Sequence, residues 1–268
     1  MDKIVGFVGY GNMGYAMVDS IIREKVVPIE NIIVSKKTIS EEDIARNKNN
    51  IKITTDNIEV AKSADILVLA VKPNVFGKIL KEIKNSIKKD AIVISIAAGI
   101  TLSYIKGNFG ESIKIVRAMP NTPALVGEGM TGYTLGSKLT DEELNWVEEI
   151  FNSFGRSQLV DESLLDGVTG IAGSSPAYVY MMIEALADGG VREGIPRSQA
   201  YTFAAQAVLG AAKMVLETGC NPAELKDKVC SPGGTTIEAV ASLEKNGFRS
   251  AVIEAVRVCA EKSKELGR

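Results

Sequence analysis

The feature that most constrains this chain is the string Gly9-Tyr10-Gly11-Asn12-Met13-Gly14, set between an apolar run and an amphipathic segment. Ile4-Val5-Gly6-Phe7-Val8 precedes it, and Met13, Met17, Ile21 and Ile22 recur at helical spacing after it. In a turn from a buried strand into a helix, each glycine of a GxGxxG string has a physical task. The first admits the tight turn, the second lets a pyrophosphate approach the backbone, and the third lets helix and strand pack closely. The helix N-terminus then offers free N–H groups and a partial positive charge to phosphates. The bland reading, a glycine turn with no ligand, is disfavoured by the context on both sides.

Further apolar runs at 32–34, 51–53, 66–71, 91–96 and 113–117 alternate with helical patterns at 57–63, 75–87 and 101–105, and a capping box at Ser40-Glu41-Glu42-Asp43 opens another helix. Continuous runs such as Ile66-Leu67-Val68-Leu69-Ala70-Val71 suit parallel strands covered on both faces. The expected fold is therefore α/β, a Rossmann-type doubly wound parallel sheet over residues 1–160. Strand signals then cease. Helices are expected at 175–192, 197–217, 235–245 and 249–266, with Ser174/Ser175 before Pro176 as an N-cap and Gly189-Gly190 and Gly219 as stops. Residues 161–268 read as an all-α domain. The 175–188 helix is apolar nearly all round, so it is either an intradomain core helix or a dimer interface; a small helical domain favours the interface.

The end of the second strand reports on the cofactor. An acidic residue there would accept from a ribose 2′-OH, but this chain has Val34-Ser35-Lys36-Lys37. A hydroxyl and two cations suit a 2′-phosphate, so NADPH is expected, with NADH as the alternative donor; the competing reading is a pair of ordinary loop lysines. Ala70-Val71-Lys72-Pro73 and Ala97-Ala98-Gly99 end the next strands and should line the cofactor, with Asn57 on the adenine or ribose side. A second glycine turn, Ser231-Pro232-Gly233-Gly234-Thr235-Thr236, precedes a helix. It reads either as a carboxylate site of backbone N–H groups and threonine hydroxyls or as a plain N-cap.

Composition excludes other classes. The chain has no histidine, which removes Ser-His-Asp and Cys-His hydrolase constellations and histidine-containing zinc sites. Three cysteines without CxxC spacing argue against a disulfide framework or a metal site. Lys and Arg total 31 against 33 Asp and Glu, so no nucleic-acid partner is expected. The run from Met1-Asp2-Lys3 straight into a strand has no leader pattern, and no apolar run approaches the ~20 residues that span a bilayer. No membrane partner and a cytoplasmic setting are expected.

The strings Gly9–Gly14, Ala70-Val71-Lys72-Pro73, Arg117-Ala118-Met119-Pro120-Asn121-Thr122-Pro123, Gly173-Ser174-Ser175-Pro176-Ala177-Tyr178 and Ser231–Thr236 resemble, in order over nearly the whole chain, the motifs of pyrroline-5-carboxylate reductases. The resemblance implies reduction of L-1-pyrroline-5-carboxylate to L-proline by NAD(P)H, a Rossmann domain, and a helical domain whose homodimers assemble further into a ring. It implies that Gly234, Thr235 and Thr236 bind the substrate carboxylate and ring nitrogen, and that Glu162 lies near bound proline. Thr236 is the expected catalytic hydrogen-bonding group. Two departures stand out: Ser175 replaces a family glycine, and Lys228 stands where the family has an asparagine near the cofactor. The chemistry agrees. A protonated cyclic imine accepts hydride readily, so no side-chain acid is required. Two rivals are a β-hydroxyacid dehydrogenase or other imine reductase, with Lys213 as the candidate proton donor, and a non-catalytic NADP sensor. Cys230 beside the turn reads as a small buried residue rather than a redox switch.

Overall fold

The computed structural model describes residues 1–47 and 50–267. Its first region runs β1 (Val5–Val8), α1 (Asn12–Arg23), β2 (Ile32–Ser35), α2 (Glu41–Arg46), β3 (Lys52–Thr54), α3 (Asn57–Ser63), β4 (Ile66–Leu69), α4 (Pro73–Ile83), β5 (Ile92–Ser95), α5 (Leu102–Phe109), β6 (Lys114–Met119), β7 (Gly129–Leu135), α6 (Asp141–Asn152) and β8 (Gly155–Leu159). The strands form one sheet in the order β3-β2-β1-β4-β5-β6-β7-β8, parallel throughout except for the antiparallel pair β6 and β7. The reversal of strand order on either side of β1 is the doubly wound arrangement expected from the sequence.

Side-chain alternation builds a core on each face of this sheet. Val5 and Phe7 of β1, Ile66 and Val68 of β4, and Ile92 and Ile94 of β5 pack with Met17, Ile21, Val147 and Phe151 of α1 and α6. Val8, Leu67, Leu69 and Val93 pack on the other face with Val60, Phe76, Leu80, Ile83 and Ile105 of α3, α4 and α5. A strand whose two faces are both buried reads as an unbroken apolar run, and that is why these strands were legible.

The segment 124–160 was not. β7 carries Gly129 and Gly132, where a Cβ would lie 2.7 Å from the Phe154 carbonyl oxygen and 2.6 Å from a Val168 methyl. Glycines required for close approach interrupt the apolar pattern that marks a strand. The β8 sequence, Gly-Arg-Ser-Gln-Leu, is that of a polar edge strand. α6 did carry a signal: Thr140 and Glu143 form a reciprocal capping box like that of Ser40 and Asp43.

Beyond β8 come α7 (Leu165–Val168), a π-helical turn (Thr169–Gly173), α8 (Ser175–Arg192), α9 (Arg197–Thr218), α10 (Pro222–Val229), α11 (Thr235–Lys245) and α12 (Phe248–Leu266). Two compact units result: Met1–Ser174 with the chain from Val258 onward, and Ser175–Arg257. Within the first unit, the Ser263 hydroxyl donates to Asp166 Oδ1 at 2.6 Å, and Cys259 Sγ lies 3.1 Å from Ser174 Oγ. Two expectations about helix ends are corrected. Ser174 has near-helical backbone (φ −102°, ψ −21°) because α8 continues directly from the π turn, so there is no free N-terminus for it to cap. Gly189 and Gly190 lie inside α8 rather than ending it. A Cβ on Gly190 would touch Ile195 and Ala200 at 3.5 and 3.6 Å, so its small size serves the α8–α9 contact, and Gly194, at φ +92°, follows the helix end. Gly219 does end α9, at φ +64°. No helix among the described residues is long and apolar enough to cross a membrane.

Candidate active site

Val8, Ser35 and Leu69 end β1, β2 and β4 at the same level of the sheet. The segments leaving these strands border a cleft of about 670 Å³. Its walls bring together Gly9, Tyr10, Gly11, Ser35, Lys36, Lys37, Asn57, Val71 and Lys72 of the sequence-based set. A ligand cleft outside the carboxyl ends of the strands, at the switch in strand order, is the expected place for a dinucleotide.

The glycines pass a direct test of fit. Gly9 has φ +104°, and a Cβ there would stand 2.5 Å from the Ala70 carbonyl oxygen. A Cβ on Gly14 would stand 2.5 Å from the Gly9 carbonyl oxygen. A Cβ on Gly11 would meet no heavy atom within 4 Å. The first and third glycines are thus required by the protein's own packing. The second opens onto free space, as a pyrophosphate approach needs. α1 starts there with Gly11 as N-cap and no side-chain cap.

The β2 string divides its tasks. Ser35 is fully buried and its hydroxyl donates to Asn57 Oδ1 at 2.7 Å, so that hydroxyl is already engaged with a neighbouring wall residue. Asn57 Nδ2 donates in turn to Glu82 Oε1 at 3.1 Å. Lys36 Nζ lies 2.5 and 2.7 Å from the two oxygens of the buried Asp43. Burial by itself would raise the Asp43 carboxyl. The Lys36 hydrogen bond, the Ser40 backbone and hydroxyl donors and the Lys36 charge outweigh it and bring the group down to about 2. Lys37 is exposed and makes no ion pair among the described residues.

Asn12, Met13, Gly14, Ala70 and Pro73 adjoin the cleft in sequence without forming its wall. Ala97, Ala98 and Gly99 follow β5 and also lie outside it. At Gly99, φ is +75° and a Cβ would stand 3.0 Å from Leu266 and Gly267, so this glycine accommodates the end of the chain. Five wall residues were missed in the sequence: Thr55, Val75, Lys78, Ile79 and Glu82. The last four recur at i, i+3, i+4 and i+7 along α4, one helical face immediately after the Ala70–Pro73 string, and that spacing was the available signal.

In the second unit, Gly233 turns the chain at φ +66° and Gly234 is the N-cap of α11, with no side chain capping it. The N–H groups of the first turn are thereby left for an anion, beside the exposed Thr235 and half-buried Thr236. Lys228 pairs with Glu224 at 2.8 Å on α10. Lys213 is exposed on α9, 3.8 Å from Glu217. Cys230 is half-buried and unbridged. In the first unit, Glu162 opens a 3₁₀ turn and its Oε1 accepts from Arg117 Nη1 and from the Leu102 N–H, both at 2.8 Å. No group of three or more metal-ligating side chains occurs among the described residues.

Comparison with known proteins accounts for both units. A family model described as pyrroline-5-carboxylate reductase dimerisation matches residues 162–266, and one described as NADP oxidoreductase coenzyme F420-dependent matches residues 4–99. The chain is 50% identical over 268 residues to pyrroline-5-carboxylate reductase of Escherichia coli, covering 100% of both chains. It is 46% identical to that of Methanosarcina acetivorans, covering 98% of each. Among solved structures, the pyrroline carboxylate reductase of Plasmodium falciparum with NADP bound superposes with a TM-score of 0.90 at 35% identity, over 99% of this chain and 98% of that one. The Coxiella burnetii reductase gives 0.91 at 34%, over 100% of both. By full-length identity, by domain content and by fold, this chain belongs to the pyrroline-5-carboxylate reductase family.

Proposed function

We propose that this chain reduces the C=N bond of L-1-pyrroline-5-carboxylate to give L-proline, the final step of proline biosynthesis, with NADPH as donor. One observation carries the reading: a cofactor cleft whose three glycines each meet their physical requirement, in a chain that matches named reductases from end to end. Residues 1–160 are assigned to the cofactor and 161–268 to substrate binding and dimerisation, a division supported by the start of the dimerisation match at residue 162.

The residue roles combine the chemistry of the cleft with what the family resemblance implies for Glu162, Gly234, Thr235 and Thr236. The Gly9–Gly14 turn receives the pyrophosphate, Lys37 the 2′-phosphate, and Asn57 the adenosine ribose. Ala70–Pro73 and Ala97–Gly99 flank the remainder of the cofactor. Bound NADPH supplies the hydride. The N–H groups at Gly234 and Thr235 hold the substrate carboxylate at the α11 N-terminus. The Thr236 hydroxyl hydrogen-bonds the ring nitrogen, and Glu162 is assigned to substrate binding. Hydride addition to the protonated imine gives a neutral secondary amine, which then takes a proton from solvent. No histidine is needed at any step.

The second unit is proposed to pair with a second copy of the chain. Only Ala187, Ala200 and Ala204 are buried hydrophobics within it, whereas Met181 is 69% and Phe203 64% exposed. Assembly of dimers into a ring and a cytoplasmic location are proposed as extensions of that reading. The test is the loss of reduced-nicotinamide absorbance with pyrroline-5-carboxylate and NADPH or NADH in parallel. Rapid oxidation with stoichiometric proline is expected, and faster with NADPH at equal concentration. Tight NADPH binding without turnover would overturn the proposal.

A further inference from the structure

The cofactor cleft holds one group that a phosphate-binding wall does not call for. Glu82 is the single carboxylate among its described wall residues, which also include Lys36, Lys37, Lys72 and Lys78. Lys36 is taken by Asp43. Among the described residues no cation forms an ion pair with Glu82. An unneutralised carboxylate repels the phosphates such a cleft must receive. Glu82 does not serve its helix either. It lies in the last turn of α4, where a negative charge opposes the helix dipole. What holds it is a chain of hydrogen bonds from the end of β2. The buried Ser35 hydroxyl donates to Asn57 Oδ1 at 2.7 Å, and Asn57 Nδ2 donates to Glu82 Oε1 at 3.1 Å. Both ends of the Asn57 amide are thereby set. No described hydrogen bond reaches Glu82 Oε2, so that oxygen keeps its acceptor capacity.

In a Rossmann cleft that takes NAD, an acid accepts from the 2′-hydroxyl of the adenosine ribose, and the strand end Val34-Ser35-Lys36-Lys37 has none. The fold supplies one from another element, since α4 brings Glu82 to the last residue of β2 through Asn57. We infer that Glu82 is the acid that reads this ribose: Oε2 accepts from the 2′-hydroxyl of NADH, and the same charge opposes the 2′-phosphate of NADPH. The inference rests on the reading of the cleft as the dinucleotide site. The cleft then holds a determinant for each cofactor, Lys37 after β2 for the phosphate and Glu82 on α4 for the hydroxyl. The preference for NADPH is set by their balance, and it is smaller than Lys37 alone would give.

The experiment is equilibrium titration of NADH and of NADPH, read by their own fluorescence, against the full parent chain, Glu82→Gln and Glu82→Ala, with thermal midpoints measured alongside. Glu82 is exposed, so both variants are expected to fold as the parent does. Loss of the charge in either variant is expected to lower the Kd for NADPH about three- to tenfold, a gain that shrinks as salt rises. Loss of the acceptor in Glu82→Ala is expected to raise the Kd for NADH about three- to tenfold, so the ratio of the two constants moves by about tenfold or more. Glu82→Gln keeps an oxygen for Asn57, so its NADPH gain separates charge from packing. Affinities for both cofactors that weaken together would make Glu82 a scaffold residue and overturn the inference, as would two unchanged affinities. A parent chain that bound neither nucleotide would instead sink the reading of the cleft on which it rests.

Discussion

The two units of this chain solve the burial problem in opposite ways. In the first, each central strand has apolar side chains on both faces and helices to cover them, so large residues such as Phe7, Phe76 and Phe151 are fully enclosed by the chain itself. In the second, the buried residues between α8 and α9 are alanines, with Ile183, Val191 and Ile195 partly buried against them, while Tyr180, Met181, Leu186, Phe203, Met214 and Leu216 remain exposed. An apolar surface of that extent is not a feature of a free-standing domain. A sheet with helices on both faces closes its own core. Helices apolar on several sides do not, and the difference marks the surface on which a second copy of the chain is proposed to pack.

The harshest way to break this comparison is to charge the exposed helical surface. Met181→Glu with Phe203→Glu places two carboxylates where burial of each side chain is expected to be worth roughly 2 kcal/mol. The expected outcome is a monomer in light scattering, with activity down by about a hundredfold or more and NADPH binding kept, since the cleft lies wholly in the first unit. A doubly charged variant that remains dimeric would show that these faces are covered in some other way.

A sharper cut stays within the first unit and separates its packing from its binding. Gly9→Ala forces a side chain into φ +104° and to 2.5 Å from the Ala70 carbonyl oxygen. Strain and overlap together are expected to cost roughly 3–5 kcal/mol, read as a fall in the denaturant midpoint. Gly11→Ala meets nothing within 4 Å and should fold as the parent does. Its methyl stands in the path of the pyrophosphate, so NADPH affinity is expected to fall about tenfold or more with the midpoint unchanged. Equal stability losses in both variants would erase the distinction between the two glycines.

These same residues show how far the sequence could be read. The glycine string, the doubly buried strands and the long helices of the second unit were legible because each follows from a local pattern: a turn geometry, an apolar run, a helical period. β7 and β8 were not, since Gly129 and Gly132 are set by neighbours distant in the chain and an edge strand need not be apolar. The Val75–Glu82 face of α4 was visible as a helix but not as a cleft wall, because nothing local says which exposed face meets a ligand. Arg117 was visible in the Arg117–Pro123 string, but nothing local named its partner. Its partner is 45 residues away, and only the fold brings them within 2.8 Å.

The smallest effect tests that limit at neighbouring lysines. The sequence offers Lys36 and Lys37 as equals, whereas the structure gives them different work. Lys36 is spent on Asp43, a buried carboxyl lowered to about 2. A carboxyl depressed on folding contributes stability above its unfolded value, near 3.8, and loses it as pH falls through the folded value. Lys36→Ala should therefore lower stability by at most about 2 kcal/mol at neutral pH, with the difference from the parent shrinking between about pH 4 and pH 2. Lys37→Ala should leave stability alone and raise the KM for NADPH several-fold to tenfold, with NADH unaffected, because the proposed partner of the charge it removes is the 2′-phosphate. If Lys36→Ala instead carried the NADPH effect and Lys37→Ala none, the Lys36–Asp43 pair would have to open on cofactor binding, and the division of labour at the end of β2 would be reversed.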